Sequence, residues 1–210
     1  MPTINQALVD EFRAKAEAVN AVVREAADLD AALQYVVETC EAKAPCEMLA
    51  EEADAEKGPL GPNGVPTRVK RIVAAPCLDD ESYAKLSAAC EARGFSCIRS
   101  GLRGHLAGID VGFSVADLGV AASGTCMVNT DSEEGRLAGM IAEINVIALR
   151  KSEISPHLPA IAEKLRARMG DGTPTYTTFI TGPSRTADIE RVAAVGVHGP
   201  LELHIILLEA

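Results

Sequence analysis

Residues Val69 to Arg99 read V-K-R-I-V-A-A-P-C-L-D-D-E-S-Y-A-K-L-S-A-A-C-E-A-R-G-F-S-C-I-R, and this stretch carries the argument for the fold class. It opens with a short β-rich run, Val69 to Ala75. Asp79 or Asp80 then caps a helix bearing Tyr83, Leu86 and Cys90, which stops at Gly94, and Phe95 to Arg99 reads as the next strand. Strand, capped helix and strand in close succession make a βαβ unit, which implies a largely parallel sheet.

Working outward, residues 57–67 (K-G-P-L-G-P-N-G-V-P-T) hold three Gly and three Pro, so neither helix nor strand is expected there. This loop is the expected boundary between a segment 1–56 and an α/β domain 68–210. In the first segment Ile4, Leu8 and Phe12, followed by Val19, Val22 and Val23, predict an amphipathic helix. Asp28 caps a second, with Leu29, Leu33, Val36, Val37 and Cys40 on one face, and the two helices are expected to form an acidic arm or lid. Downstream, Ile144 to Leu149 is an apolar run of buried-strand type. Ser155 and Pro156 open a helix with Leu158, Ile161, Ala162, Leu165 and Met169 on one face and Gly170 as its stop. Tyr176 to Thr181 and Leu203 to Leu208 complete the expected strands.

With 210 residues, 48% of them apolar, the chain can bury the core of one sizeable domain. No apolar run approaches the roughly 20 residues that span a bilayer, and the N-terminus is acidic and polar, so a cytoplasmic protein without membrane insertion is expected. The six cysteines (Cys40, Cys46, Cys77, Cys90, Cys97, Cys126) are accordingly read as free thiols, and their spacings match neither zinc nor iron-sulfur ligand patterns. The net charge of −10 is concentrated in residues 1–56, which hold 13 Asp/Glu against four Lys/Arg. Such a surface repels polyanions, and seven aromatic residues offer little stacking, so nucleic-acid binding is disfavoured.

Four stretches carry candidate chemistry. Thr181 to Glu190 (T-G-P-S-R-T-A-D-I-E) follows a strand: Gly182 permits a sharp turn, Pro183 stiffens it, and Ser184 caps a short helix through Ile189. Unpaired helical N–H groups there, with Thr181, Ser184, Arg185 and Thr186, suit a carboxylate or phosphate. The plainer reading is a capped helix whose Arg185 pairs with Asp188 or Glu190. Ala116 to Asn129 reads as a tight hairpin in which Gly124 takes an unusual backbone angle beside Thr125; small residues there would let a ligand approach the main chain closely, although turn chemistry alone explains the pattern, with Asp117 as a turn partner. In V-G-V-H-G-P (195–200), His198 next to Gly199 is a candidate proton carrier or anion contact, and in E-G-R (134–136) Arg136 is a candidate second cation. No G-x-G-x-x-G, P-loop, G-x-S-x-G or H-E-x-x-H motif is present.

The run I-T-G-P-S-R-T-A-D-I-E (180–190), then G-V-H-G-P (196–200) and H-I-I-L-L (204–208), resembles the closing signature of the lactate utilization protein C family, the LUD domain. A-D-L-G-V-A-A-S-G-T (116–125) and E-G-R resemble its central motifs, so the likeness covers roughly residues 68–209. The resemblance implies a three-layer α/β/α fold of the type shared with ribose-5-phosphate isomerases, CoA transferases and formyltetrahydrofolate cyclo-ligases. It also implies a subunit that acts with two iron-sulfur partner proteins in oxidising L-lactate to pyruvate. The subunit would be substrate-positioning or accessory, with the clusters in the partners and none bound by this chain. The alternative is an independent enzyme or sensor for a phosphorylated, CoA-linked or carboxylate small molecule. Two departures bear on chemistry: Ala122 stands where the family commonly has Glu, and the chain reads Ala142-Glu143-Ile144-Asn145 near the strand after E-G-R, where the family tends to have Pro and His.

Overall fold

The computed structural model describes residues 4–48, 56–105, 108–168, 175–186, 194–195 and 199–209, apart from the side chains of 186, 194 and 195. Helix α1 (Gln6–Ala18) buries Val9, Phe12 and Ala16 on one face. It ends where Asn20 adopts a left-handed backbone (φ 67°), a conformation asparagine tolerates better than most residues. Val22 and Val23, expected to extend that helix, instead open strand β1 (Val22–Ala26). Helix α2 (Leu29–Ala42) starts as expected at Asp28, whose carboxylate accepts from the Ala31 N–H at 2.9 Å, and it buries Leu33, Val36, Val37 and Cys40. Residues 57–67, expected to hold neither helix nor strand, contribute the antiparallel pair β2 (Lys57–Leu60) and β3 (Pro66–Arg68). A two-stranded ribbon leaves many N–H groups without a ladder partner, which is where proline is tolerated.

The βαβ unit forms as read. Strand β4 (Ile72–Ala74) leads to α3 (Asp80–Ala92), capped by Asp79 at 2.9 Å from the Ser82 N–H, and Gly94 (φ 74°) turns the chain into β5 (Ser96–Ile98), parallel to β4. Next come β6 (Ile109–Val115) and the hairpin of β7 (Leu118–Val120) and β8 (Thr125–Asn129). Helix α4 (Glu133–Ile141), capped by Ser132, runs directly into β9 (Ala142–Arg150). Ser155 lies in the short β10 (Ile154–Ser155) and caps no helix. His157 does that work, its ring accepting from the Ala160 N–H at 3.2 Å ahead of a 3₁₀ turn and α5 (Ala162–Arg168). Met169 and Gly170 lie outside the described residues. The remaining strands are β11 (Thr177–Ile180), β12 (Arg185–Thr186), β13 (Ala194–Val195) and β14 (Glu202–Leu208).

The main sheet is parallel throughout, in the order β1-β14-β9-β6-β4-β5, and a smaller sheet has the order β10-β7-β8-β11. Helices α2 and α3 cover one face of the main sheet. Helices α1 and α4 and the smaller sheet cover the other. Strand β9 is buried on both sides, Val146 and Ala148 toward α2 and Ile147 and Leu149 toward α1, so its sequence is a nearly continuous apolar run. No helix among the described residues is long and apolar enough to cross a membrane.

At the N-terminal edge of the sheet, the fully buried Asp110 accepts from Lys43 Nζ (2.8 Å), the Ile72 N–H (2.8 Å) and the Cys46 N–H (3.2 Å). Lys43 also pairs with Glu143 at 2.9 Å. Burial is the largest single influence and opposes the Lys43 charge, but Asp110, Cys46 and Glu143 together outweigh it and raise the ammonium above its ordinary pKa.

Candidate functional site

A cavity of about 330 Å³ lies between the main sheet, α4 and the smaller sheet. Its position follows from the layering: α4 covers the sheet near β6, the β8–β11 pair covers it elsewhere, and the gap between these covers stays open. Ser114 of β6, Asn145 of β9 and Leu203 of β14 line it from the main sheet. Arg136, Gly139 and Met140 line it from α4, Val128, Thr178 and Ile180 from the smaller sheet, and Thr130 from just past β8. The segments 181–184 and 199–200 form its rim, joined by the Ser184 N–H to the Pro200 carbonyl at 3.0 Å.

Arg136 supplies the cavity's positive charge. Its guanidinium donates to the carbonyls of Thr130 (2.7 Å) and Asp131 (3.1 Å) and lies 4.6 Å from the Tyr176 ring centroid. These contacts orient the group without neutralising it, because carbonyls and an aromatic face carry no net charge. It makes no ion pair among the described residues. Hydroxyl pairs stand nearby: Thr130 with Thr178 at 2.8 Å, and Thr125 with Thr181 at 2.6 Å, the latter extended to Ser123 at 2.7 Å. The side chains of Ser114, Asn145 and Ser184 form no hydrogen bond to any described residue. The lining therefore offers one cation, several reorientable hydroxyls, an amide and an apolar wall. Such a set can hold a small anion by charge and orient it by hydrogen bonding.

A family model for the LUD domain matches residues 9–208. This chain belongs to the LUD domain family. Among its relatives are the uncharacterized protein YkgG of Escherichia coli (39% identical over 47% of this chain and 44% of YkgG) and lactate utilization protein C of Macrococcus caseolyticus (35%, over 48% and 44%). The matches span less than half the length of these curated relatives. A crystal structure of a DUF162 family protein from Deinococcus radiodurans shares the fold, with a TM-score of 0.58 over 99% of both chains at 15% identity.

In this LUD chain the residues singled out from sequence divide into three groups. Arg136, Thr181, Gly182, Ser184 and Gly199 line one cavity although they come from three separate stretches, and Thr125 adjoins it through Thr181. Gly124 and Arg185 face elsewhere. Gly124 has the expected unusual angle (φ 63°), but a β-carbon there would lie 2.3 Å from the Ala16 backbone nitrogen, so what approaches closely is α1. Arg185 donates to the Val19 carbonyl, the same carbonyl that a β-carbon at Gly182 (φ 73°) would meet at 2.6 Å. The helix expected from Ser184 does not begin there, because Arg185 and Thr186 form β12 and pair with β13. His198 and the side chain of Thr186 lie outside the described residues.

Asn145 and the Thr130–Thr178 pair were not among the candidates. The signal for Asn145 was available, as a lone amide within an apolar strand run. Ala122, where the family commonly has Glu, is exposed in the β7–β8 turn and is not part of the cavity lining. A second, acidic crevice of about 540 Å³ lies beside Cys77, Asp117, Asp131, Arg150 and Glu153. Burial pushes the Asp117 carboxyl above its ordinary pKa even though Arg168 pairs with it at 3.2 Å. Three carboxylates make that crevice a poor place for an anion.

Proposed function

We propose that this LUD chain takes part in lactate utilization by holding a small carboxylate in the cavity at Arg136. On this reading it is a substrate-positioning subunit that works beside two iron-sulfur partner proteins, which carry the clusters. The observation that bears most weight is the Arg136 guanidinium, held in place by carbonyls and Tyr176 yet in no ion pair among the described residues. Relatives named lactate utilization protein C support the pathway, and the hydroxyls and apolar wall suit a short carboxylic acid. The cavity volume of about 330 Å³ exceeds the needs of a three-carbon acid, which favours a longer or phosphorylated carboxylate as the second reading.

Calorimetry with L-lactate, pyruvate, a sugar phosphate and a CoA ester separates the two readings. Arg136→Gln is expected to weaken whichever ligand binds by at least about tenfold, the value of one charge-assisted hydrogen bond. Unchanged affinity in that variant removes the site. Purification of tagged chain from its host under anaerobic conditions is expected to bring two cysteine-rich companions, and a chain emerging alone argues against the subunit role.

A further inference from the structure

The cavity contains a polar group that the fold does not use. On the face of β9 toward α1, Ile147 and Leu149 are buried apolar residues, and Leu203, Ile205 and Leu207 of β14 continue the same surface. Asn145 interrupts it at 2% exposure, with no hydrogen bond to any described residue. A primary amide carries two donors and an acceptor oxygen. Here they open to the cavity from a strand face that is otherwise apolar, where a leucine of similar volume would pack as well, so an amide kept there points to a partner that enters the cavity.

Geometry says what adjoins it. A β-carbon at Gly139 would lie 3.8 Å from Asn145 Nδ2, so that glycine leaves the space over the amide open. Arg136 precedes Gly139 by three residues, and residues three apart on a helix share a face with β-carbons about 5–6 Å apart. The guanidinium and the amide therefore open into one cavity roughly one helical turn apart, and both line it. Ser114, on the neighbouring strand, adds a hydroxyl that is equally without a partner among the described residues.

We propose that Asn145 is the specificity-determining residue of this cavity: it binds a neutral hydroxyl or carbonyl oxygen on an occupant whose anionic group lies at Arg136. This deepens the reading of the cavity as an anion site and rests on it. An uncharged amide that can both donate and accept matches either oxygen type. It offers nothing to a methylene group, and no second cation lines the described cavity to neutralise a second carboxylate. Selection for the oxygen then arises because an analogue that lacks it leaves the amide unpaired.

L-Lactate and propionate share a carboxylate and a three-carbon skeleton and differ by one hydroxyl, so calorimetry of the whole chain with each is the test. The wild type is expected to prefer L-lactate by about tenfold or more. Asn145→Leu is expected to erase that preference while holding propionate affinity within about threefold, and Asn145→Ser to retain part of it. Arg136→Gln is expected to weaken both ligands by about tenfold or more. Equal binding of the two acids by the wild type, or an undiminished preference in Asn145→Leu, overturns the role of Asn145 and leaves the anion site standing. A wild type that binds neither acid overturns the short-carboxylate reading on which this role of Asn145 rests, and an Arg136→Gln variant that binds both as before overturns the anion site itself. Thermal melting supplies an independent check. Asn145→Leu is expected to melt no lower than the wild type, and a lower melting temperature would mean that the amide is already satisfied in the free protein.

Discussion

Glu143 and Asn145 stand two residues apart on β9, and the polar clusters they join are built in opposite ways. Around Glu143, Lys43 meets two carboxylates, and Asp110 accepts from one ammonium and two backbone amides. Around Asn145, the amide, the Ser114 hydroxyl and the Arg136 charge keep unused capacity toward a cavity. A buried polar group with every partner in place serves the fold. One that retains capacity beside open space serves whatever enters that space. The comparison separates structural from functional polarity without reference to charge, since the more strongly charged cluster is the structural one.

Stability measurements probe that distinction most forcefully at Asp110. Asp110→Ala leaves two buried N–H groups unpaired and strips Lys43 of its closest carboxylate, so chemical denaturation is expected to show a loss of about 3–5 kcal/mol. A loss below about 1 kcal/mol would place the cluster among exposed ion pairs and break the contrast. Arg136→Gln is expected to cost no more than about 2 kcal/mol, because its two carbonyl bonds and ring contact are partly exposed, while ligand binding falls tenfold or more. A smaller effect comes from Lys151, which joins Glu25 (2.7 Å) and Glu209 near the carboxyl ends of the strands. The hydrogen bond from Lys151 is the main influence on Glu25 and, against a smaller effect of burial, holds its carboxyl below the ordinary 4.5. A lowered carboxylate pKa stabilises the fold above pH 4.5, and that contribution is lost as pH falls through the lowered value. The melting-temperature gap between wild type and Lys151→Met is therefore expected to narrow from pH 7 to pH 3, and a constant gap would show that the pair carries no linked proton.

The legible parts of this fold were those where local chemistry and tertiary context agree. Asp79 and Gly94 bracket α3 with a cap and a stop that need nothing else in the molecule. The β7–β8 turn was legible for the same reason, since Gly124 needs its angle whatever packs against it. Strand β1 was not, because Val22 and Val23 continue a helical spacing, and only pairing with β14, 182 residues from Val22, makes them a strand. Ser184 and Pro183 resemble a helix start, yet the backbone beyond them finds its partners in β13. Within the site, Arg136, Thr181 and Ser184 were chosen for their chemistry, whereas Arg185 illustrates the limit of that approach. A cation beside a turn can be claimed by any nearby carbonyl, and Val19 belongs to a helix end that no motif connects to it.

The main sheet also dictates an order of events during synthesis. Strand β14 is inserted between β1 and β9, Val22 lying opposite His204 and Ile144 opposite Glu202, so the chain's first strand has no neighbour in that sheet until its last has emerged. A nascent chain halted before Glu202 would present one unpaired edge on β9 and a stranded β1, the kind of exposed backbone that invites association with other chains. Completion of the sheet thus waits on the synthesis of β14, and until then the growing chain is in a form that cellular holding factors are suited to receive.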